Sequence, residues 1–323
     1  MAQVLRPLQN LFLQQDFPDL LAGLDHPDDA ALWKIDEQRA LVVTTDFFTP
    51  VVDDPYDYGA IAAANILSDV YAMGGTPFLA LNIVAIPPQL PPEIASQILR
   101  GGADKAVEAG VVIAGGHTIQ DKEPKYGLVA LGFVNIDTIL SKSGLKEGDI
   151  LFLSKPLGNG VISSAIKLDK IQPQEAGKTI EFMKLLNRDA AAIAISNKSR
   201  CATDITGFSF LGHAWEMASA SGTGLRFDYE KIPVYDLAGK LAAEWCFPGG
   251  AFDNMEFFEP HVKFPEKLSQ DQQMLLFDPQ TSGGLLFSVA AKYADQCESD
   301  ASQKGIPLWR IGEATKTGII EII

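Results

Sequence analysis

The chain has 323 residues, 47% of them apolar and 21% charged, with a formal net charge of −15 and an isoelectric point near 4.7. That length predicts two domains, with the apolar content of a packed globular protein. The acidic balance excludes a nucleic-acid binder, which needs a basic stripe, and no apolar run approaches the roughly 20 residues of a membrane span.

From the N-terminus, Val4, Leu8, Leu11 and Phe12 space out one helix or two short ones over 4–24. Arg6, Gln9, Gln14, Gln15 and Asp16 deny this stretch the apolar core of a signal peptide. Residues 40–48 predict a strand ending at Thr49-Pro50, and 59–73 an alanine-rich helix stopped by Gly74-Gly75. Asn65 and Asp69, four apart on that helix, leave by one face. A strand over 78–86 precedes a helix that opens after Pro91-Pro92 and closes at Gly110. Val111 to Ala114 predicts a short buried strand running into a Gly115-Gly116 turn, and 126–135 a further strand.

A polar connector over 142–149 places the domain boundary, giving 1–149 and 150–323. The second half predicts strands at 150–154, 225–229, 284–289 and 317–323, and helices at 174–196, 209–220 and 234–245. Strands and helices alternate without the regular βαβ spacing of a doubly wound sheet, so the expected class is α+β. Cys201, Cys246 and Cys297 are far apart and form no C-x-x-C pair, which predicts reduced thiols, no zinc site and a cytoplasmic setting.

Three acidic stations recur: Asp28-Asp29, then Asp46 with Asn65 and Asp69, and Asp204 in Thr203-Asp204-Ile205-Thr206-Gly207. Gathered carboxylates suit a hard divalent cation, and the Gly115-Gly116-His117-Thr118 turn suits phosphate. Each also has a plain reading. Asp28-Asp29 and Asp204 can cap a turn or a helix, and His117 and His213 can be hydrogen-bonded structural residues. Cys201 reads as a small core residue, and Asp278 to Gly284 as turn chemistry. Asp69, on an apolar helix, needs a metal or hydrogen bonds to offset several kcal/mol of burial cost. The common glycine-rich phosphate loops are absent, so a nucleotide would bind by another architecture, with metal ions screening the carboxylates.

The ordered set Asp28-Asp29-Ala30-Ala31, Thr44-Thr45-Asp46-Phe47-Phe48, Asn65 to Gly75, Gly115-Gly116-His117-Thr118, Thr203 to Phe208 and Asp278 to Gly284 resembles the selenophosphate synthetases. The resemblance covers nearly the whole chain. Broader relatives include aminoimidazole ribonucleotide synthetase and thiamine monophosphate kinase. It implies two α/β domains of that type, the first pairing with its twin through a β-sheet or barrel interface to make a homodimer. It further implies Asp29, Asp69 and Asp204 as Mg²⁺ ligands, with His26, Pro27, Asp28, Asp46, Asn65 and Asp69 around the ATP phosphates. Gly116, His117 and Thr118 are implied to touch ATP, from the same or the partner subunit. The family reaction turns ATP, selenide and water into selenophosphate, AMP and orthophosphate. Charge then builds on phosphoryl oxygens that cations stabilise, and a closing lid excludes water.

One family feature has no counterpart: a glycine-rich N-terminal segment with a cysteine or selenocysteine and then a lysine. Here the first lysine is Lys34 and the first cysteine Cys201. The expectation is that residues 1–323 bind Mg–ATP but make little selenophosphate. Other outcomes implied by the resemblance are a different ATP-dependent kinase or cyclase of the superfamily, or an ATP-binding homologue without catalysis.

Overall fold

Fully buried Ala40 and Val42 alternate with part-exposed Leu41 and Val43, so one face of their strand is covered and the other open. In the computed structural model, which describes residues 11–24 and 27–323, this strand sits inside a six-stranded sheet. Its members are β1 (Leu20–Ala22), β2 (Ala31–Lys34), β3 (Arg39–Phe48), β4 (Thr76–Ile86), β5 (Val112–Gln120) and β6 (Lys125–Asn135). They lie in the order β1-β2-β3-β6-β4-β5, antiparallel except for the β4–β5 pair.

Two helices cover the closed face. Helix α1 (Pro55–Ala72) starts where the Asp54 carboxylate accepts from the Asp57 N–H at 2.8 Å, with Pro55 in the first turn. Helix α2 (Pro92–Glu108) crosses it at glycines: a Cβ on Gly59 would stand 1.9 Å from Ile98 O, and one on Gly101 1.9 Å from Tyr56 O. With only backbone between them, the helices pack closely and α1 is buried on almost every side.

The second sheet comprises β7 (Ile150–Leu153), β8 (Cys201–Asp204), β9 (Gly224–Phe227), β10 (Val262–Lys263), β11 (Leu285–Val289), β12 (Trp309–Thr315) and β13 (Ile320–Ile322). Its order is β10-β13-β9-β12-β7-β11-β8. Around it pack α3 (Asn159–Lys167), α4 (Gly177–Lys184), α5 (Arg188–Ser196), α6 (Ser209–Ser221), α7 (Asp236–Ala243), α8 (Gly249–Phe258), α9 (Gln270–Leu276) and α10 (Ala294–Gln303). One apolar core runs from the first sheet through α1 into the second half, joining Ile66 and Leu67 to Ile162, Ile193 and Phe287. A second core lies between the second sheet and α6.

Several sequence expectations are corrected. Over 11–24 the expected helix is replaced by a 3₁₀ turn at Gln14–Asp16 and then β1, while its residues 4–10 lie outside the described residues. No buried strand ends at Gly115-Gly116. Instead β5 runs straight through both glycines as an exposed edge strand, with Val112 62% exposed. At Gly116 a side chain would stand 2.2 Å from Asn82 O, so only glycine lets β4 and β5 pair there. The helix expected over 174–196 is broken between α4 and α5. Lys155 Nζ takes the Leu185 carbonyl at 2.7 Å, and the Asn187 side chain is pinned to Ser68 Oγ and Gly283 O, both at 2.8 Å. Asp204 ends a strand rather than capping a helix, because Cys201–Asp204 pairs with β11.

Candidate metal and nucleotide site

The acidic stations meet where the two halves touch. Asp69 projects from α1, where Thr44 Oγ1 of β3 donates to its Oδ2 at 2.5 Å. Asp204 stands at the end of β8, 2% exposed, and Asp29 lies just before β2 with its side chain 4% exposed. Thr203 Oγ1 donates to Asp29 Oδ1 at 2.9 Å, which ties β8 to the segment before β2. Asp28 accepts from Ser141 Oγ at 2.8 Å and from the Lys142 N–H at 3.1 Å. Asp46 Oδ2 accepts from Asn65 Nδ2 at 2.8 Å, and Asn65 Oδ1 accepts from the Ser282 N–H at 2.8 Å.

The electrostatics record this crowding. Asp69 is held well above the ordinary carboxylate range by burial, then by the charges of Asp204, Asp29 and Asp46, against a lowering hydrogen bond from Thr44. Asp204 is raised to about 6 by burial and then by Asp29. Asp28 is raised to about 6 by burial and by Asp29, and Asp46 is raised by burial. Carboxylates that destabilise one another's charge in this way are short of positive charge.

Two of their oxygens, Asp29 Oδ2 and Asp204 Oδ2, are buried without a hydrogen-bond partner. Such atoms are uncommon and each costs about 1–3 kcal/mol. A hard divalent cation, which takes oxygen ligands, fits both observations. Among the described residues, no group of three or more carboxylates, histidines or cysteines stands in a ready-made metal cage. The ammonium of Lys142 lies 2.9 Å from Asp29 Oδ1 and 3.0 Å from Glu216 Oε2.

Other expected site residues fall elsewhere. His26 lies outside the described residues, and Pro27 is exposed. Gly116, His117 and Thr118 sit exposed on β5. Register runs Asp46, Leu128, Asn82, Gly116 across β3, β6, β4 and β5. Three strand spacings therefore separate Asp46 from Gly116, roughly 14 Å. His213 is a structural histidine, its Nε2 3.1 Å from Thr206 Oγ1 and its Nδ1 3.2 Å from Glu216 Oε2. Cys201 is fully buried and its thiol is pushed up to about 12 by burial, so it is not a nucleophile.

Sequence reasoning missed Lys142 and Glu216, whose contacts cross 114 and 74 residues. Only the His213-x-x-Glu216 spacing on one helix face offered a local signal.

A two-layered first half and a sheet-centred second half, with carboxylates converging between them, define the class: an AIR synthase-related protein. Residues 27–134 match the AIR synthase related protein N-terminal domain, and residues 146–323 match its C-terminal domain. The fold is similar to thiamine-monophosphate kinase from Stenotrophomonas maltophilia, with a TM-score of 0.69 at 20% identity, covering 96% of this chain and 92% of that one. Sequence places the chain more narrowly. It is 44% identical over 315 residues to the selenide, water dikinase of Carboxydothermus hydrogenoformans, covering 98% of this chain and 90% of the relative. It is 48% identical over 279 residues to that of Caldanaerobacter subterraneus subsp. tengcongensis, covering 86% and 80%. The chain belongs to the selenide, water dikinase family and is a phosphotransferase of that kind.

Proposed function

We propose that this protein makes selenophosphate from ATP, selenide and water, releasing AMP and orthophosphate, with Mg²⁺ required. The observation that carries the site assignment is the meeting of Asp29, Asp69 and Asp204 from three elements, with the unpartnered Asp29 Oδ2 and Asp204 Oδ2 among them. These three carboxylates would hold the divalent ions. Bound there, such ions supply positive charge against the developing negative charge of phosphoryl transfer.

The chain's own residues do the positioning. Asp46, Asn65 and the Ser282 N–H form one hydrogen-bonded line across the junction of the halves, fixing the first sheet, α1 and the Asp278–Gly284 loop together. Asp28, His26 and Pro27 are assigned to the phosphate side on the strength of the family resemblance. Residues 1–149 are taken as the metal-binding, ATP-binding and dimerisation domain, and 150–323 as the second domain.

A homodimer completes the proposal. The open face of the first sheet carries Trp33, Leu41 and Phe133 in one register row and Val129 and Leu81 in another. Trp33, Phe133 and Leu81 are 43%, 39% and 37% exposed, and so broad an apolar sheet face suits a partner. Pairing through that face would also let Gly116, His117 and Thr118 serve the partner's nucleotide, since they lie too far from Asp46 of their own chain.

Phosphorus NMR on ATP, selenide and Mg²⁺ tests the reading. The expected result is a selenophosphate resonance with AMP, lost in Asp29→Ala. Cleavage of ATP indifferent to selenide, or phosphorylation of thiamine monophosphate instead, would refute it.

A further inference from the structure

Lys142 takes no part in the chemistry just described, yet its ammonium pairs with Asp29, a member of the acidic cluster. Its side chain is 11% exposed, and Nζ lies 2.9 Å from Asp29 Oδ1 and 3.0 Å from Glu216 Oε2. Its backbone is pinned: the N–H donates to Asp28 Oδ2, and the carbonyl accepts from Ser221 Oγ at 3.2 Å and Cys201 Sγ at 3.3 Å. Only the flexible side chain is free to shift.

Its two carboxylate partners differ. Asp29 also accepts from Thr203 Oγ1 through the same Oδ1, and its Oδ2 is buried with nothing bonded to it. Glu216 is steadied from behind by His213 Nδ1, and the other ring nitrogen of His213 meets Thr206 Oγ1. Glu216 lies on α6 beside the connector, whereas Asp29 belongs to the carboxylates assigned to the metal.

We infer that Lys142 is a built-in counter-cation that shares Asp29 with the divalent metal: without metal its ammonium neutralises Asp29, and when metal binds it moves onto Glu216. The inference rests on the metal reading of Asp29 and adds a residue that sets the affinity. Buried carboxylates with no compensating charge are strongly unfavourable, so a resident ammonium keeps the metal-free cluster folded. The ammonium on Oδ1 offsets the charge that a cation on the open Oδ2 would meet, so metal binds more weakly than three free carboxylates would allow. Glu216, already aligned by His213, gives the displaced charge a partner within reach of the same side chain.

The test is a titration with Mn²⁺ alone, followed by electron paramagnetic resonance of the full chain, with thermal melts to establish folding. Lys142→Gln is expected to tighten Mn²⁺ binding about tenfold, the effect of removing one like charge at close range. Lys142→Arg, which keeps the charge, should stay near wild type. Glu216→Gln should weaken Mn²⁺ binding several-fold, because the ammonium then stays on Asp29. General damage to the fold would shift Lys142→Gln and Glu216→Gln in the same direction, not in opposite ones. Unchanged or weaker binding in folded Lys142→Gln overturns the inference. If that variant does not fold, unchanged or tighter binding in Glu216→Gln overturns it. Asp29→Asn separates the two layers: Mn²⁺ binding equal to wild type in that variant removes Asp29 from the metal site altogether.

Discussion

The side-chain carbonyl of Asn65, midway along α1, accepts the backbone N–H of Ser282 at 2.8 Å, joining positions 217 residues apart. The amide nitrogen of Asn65 meanwhile holds Asp46. One side chain thus fixes both the Asp46 carboxylate and the loop of the opposite half.

Replacing it should therefore have a double effect. Asn65→Ala leaves the Ser282 N–H buried and unpaired, with an expected loss of about 1–3 kcal/mol of stability. It also frees Asp46, so the affinity for Mg–ATP should fall as well. Urea denaturation and calorimetry with a non-hydrolysable ATP analogue check the two parts; a variant as stable as wild type would show that the bond contributes little.

Asp69 should behave in the opposite way with respect to stability. Its charge is opposed by burial and by Asp204, Asp29 and Asp46. Asp69→Asn relieves that repulsion, so without divalent cations the melting temperature should rise by about 1–4 °C. Metal-dependent binding of the ATP analogue should disappear. Melting curves in EDTA, paired with calorimetry in Mg²⁺, read both outcomes, and retained nucleotide affinity would dismiss Asp69 as a ligand.

Asp278 gives a pH dependence away from the carboxylate cluster. It is fully buried, and burial raises it to about 7 against the lowering hydrogen bonds of Val161 N–H and Gln280 Nε2. The folded protein thus holds this proton to higher pH than the unfolded chain. From the unfolded value near 4 up to about 7 its contribution to stability falls as pH rises, and below that window it has no effect. Ionising it costs up to about 4 kcal/mol at neutral pH. Asp278→Asn should flatten the decline of stability between pH 4 and 7. A slope identical to wild type in denaturant midpoints across that range would count against this assignment.

The open sheet face should govern association. Phe78 and Phe133 stack at 4.7 Å between centroids while remaining 37% and 39% exposed. Phe133→Glu puts a charge into the middle of that surface and should convert a dimer into monomers without loss of fold. Sedimentation equilibrium of the two proteins decides it; a wild-type monomer at micromolar concentration would remove the proposed interface.

Short-range signals in the sequence were reliable where the cause was local. The i, i+4 spacing of Asn65 and Asp69 places both on the face of α1 that meets the acidic cluster, and the Gly74-Gly75 stop ends that helix. Features set by distant partners were not legible. Nothing near Leu185 shows that a lysine thirty residues earlier will take its carbonyl and break the helix. The segment around Lys142 reads as a polar connector, because Asp29 and Glu216 reach it only in three dimensions. The glycine pair 115–116 carries the usual signal of a turn, yet it serves a strand whose neighbour presses against it at Asn82.

The bare crossing of α1 and α2 at Gly59 and Gly101 has a mechanical consequence. Where backbone rests on backbone, no side chain can change rotamer to let the helices slide, so this layer behaves as a stiff plate. If a nucleotide binds against the acidic cluster as proposed, the accompanying movement is expected in the second half, with Asn65 and Asp69 as fixed reference points on the plate.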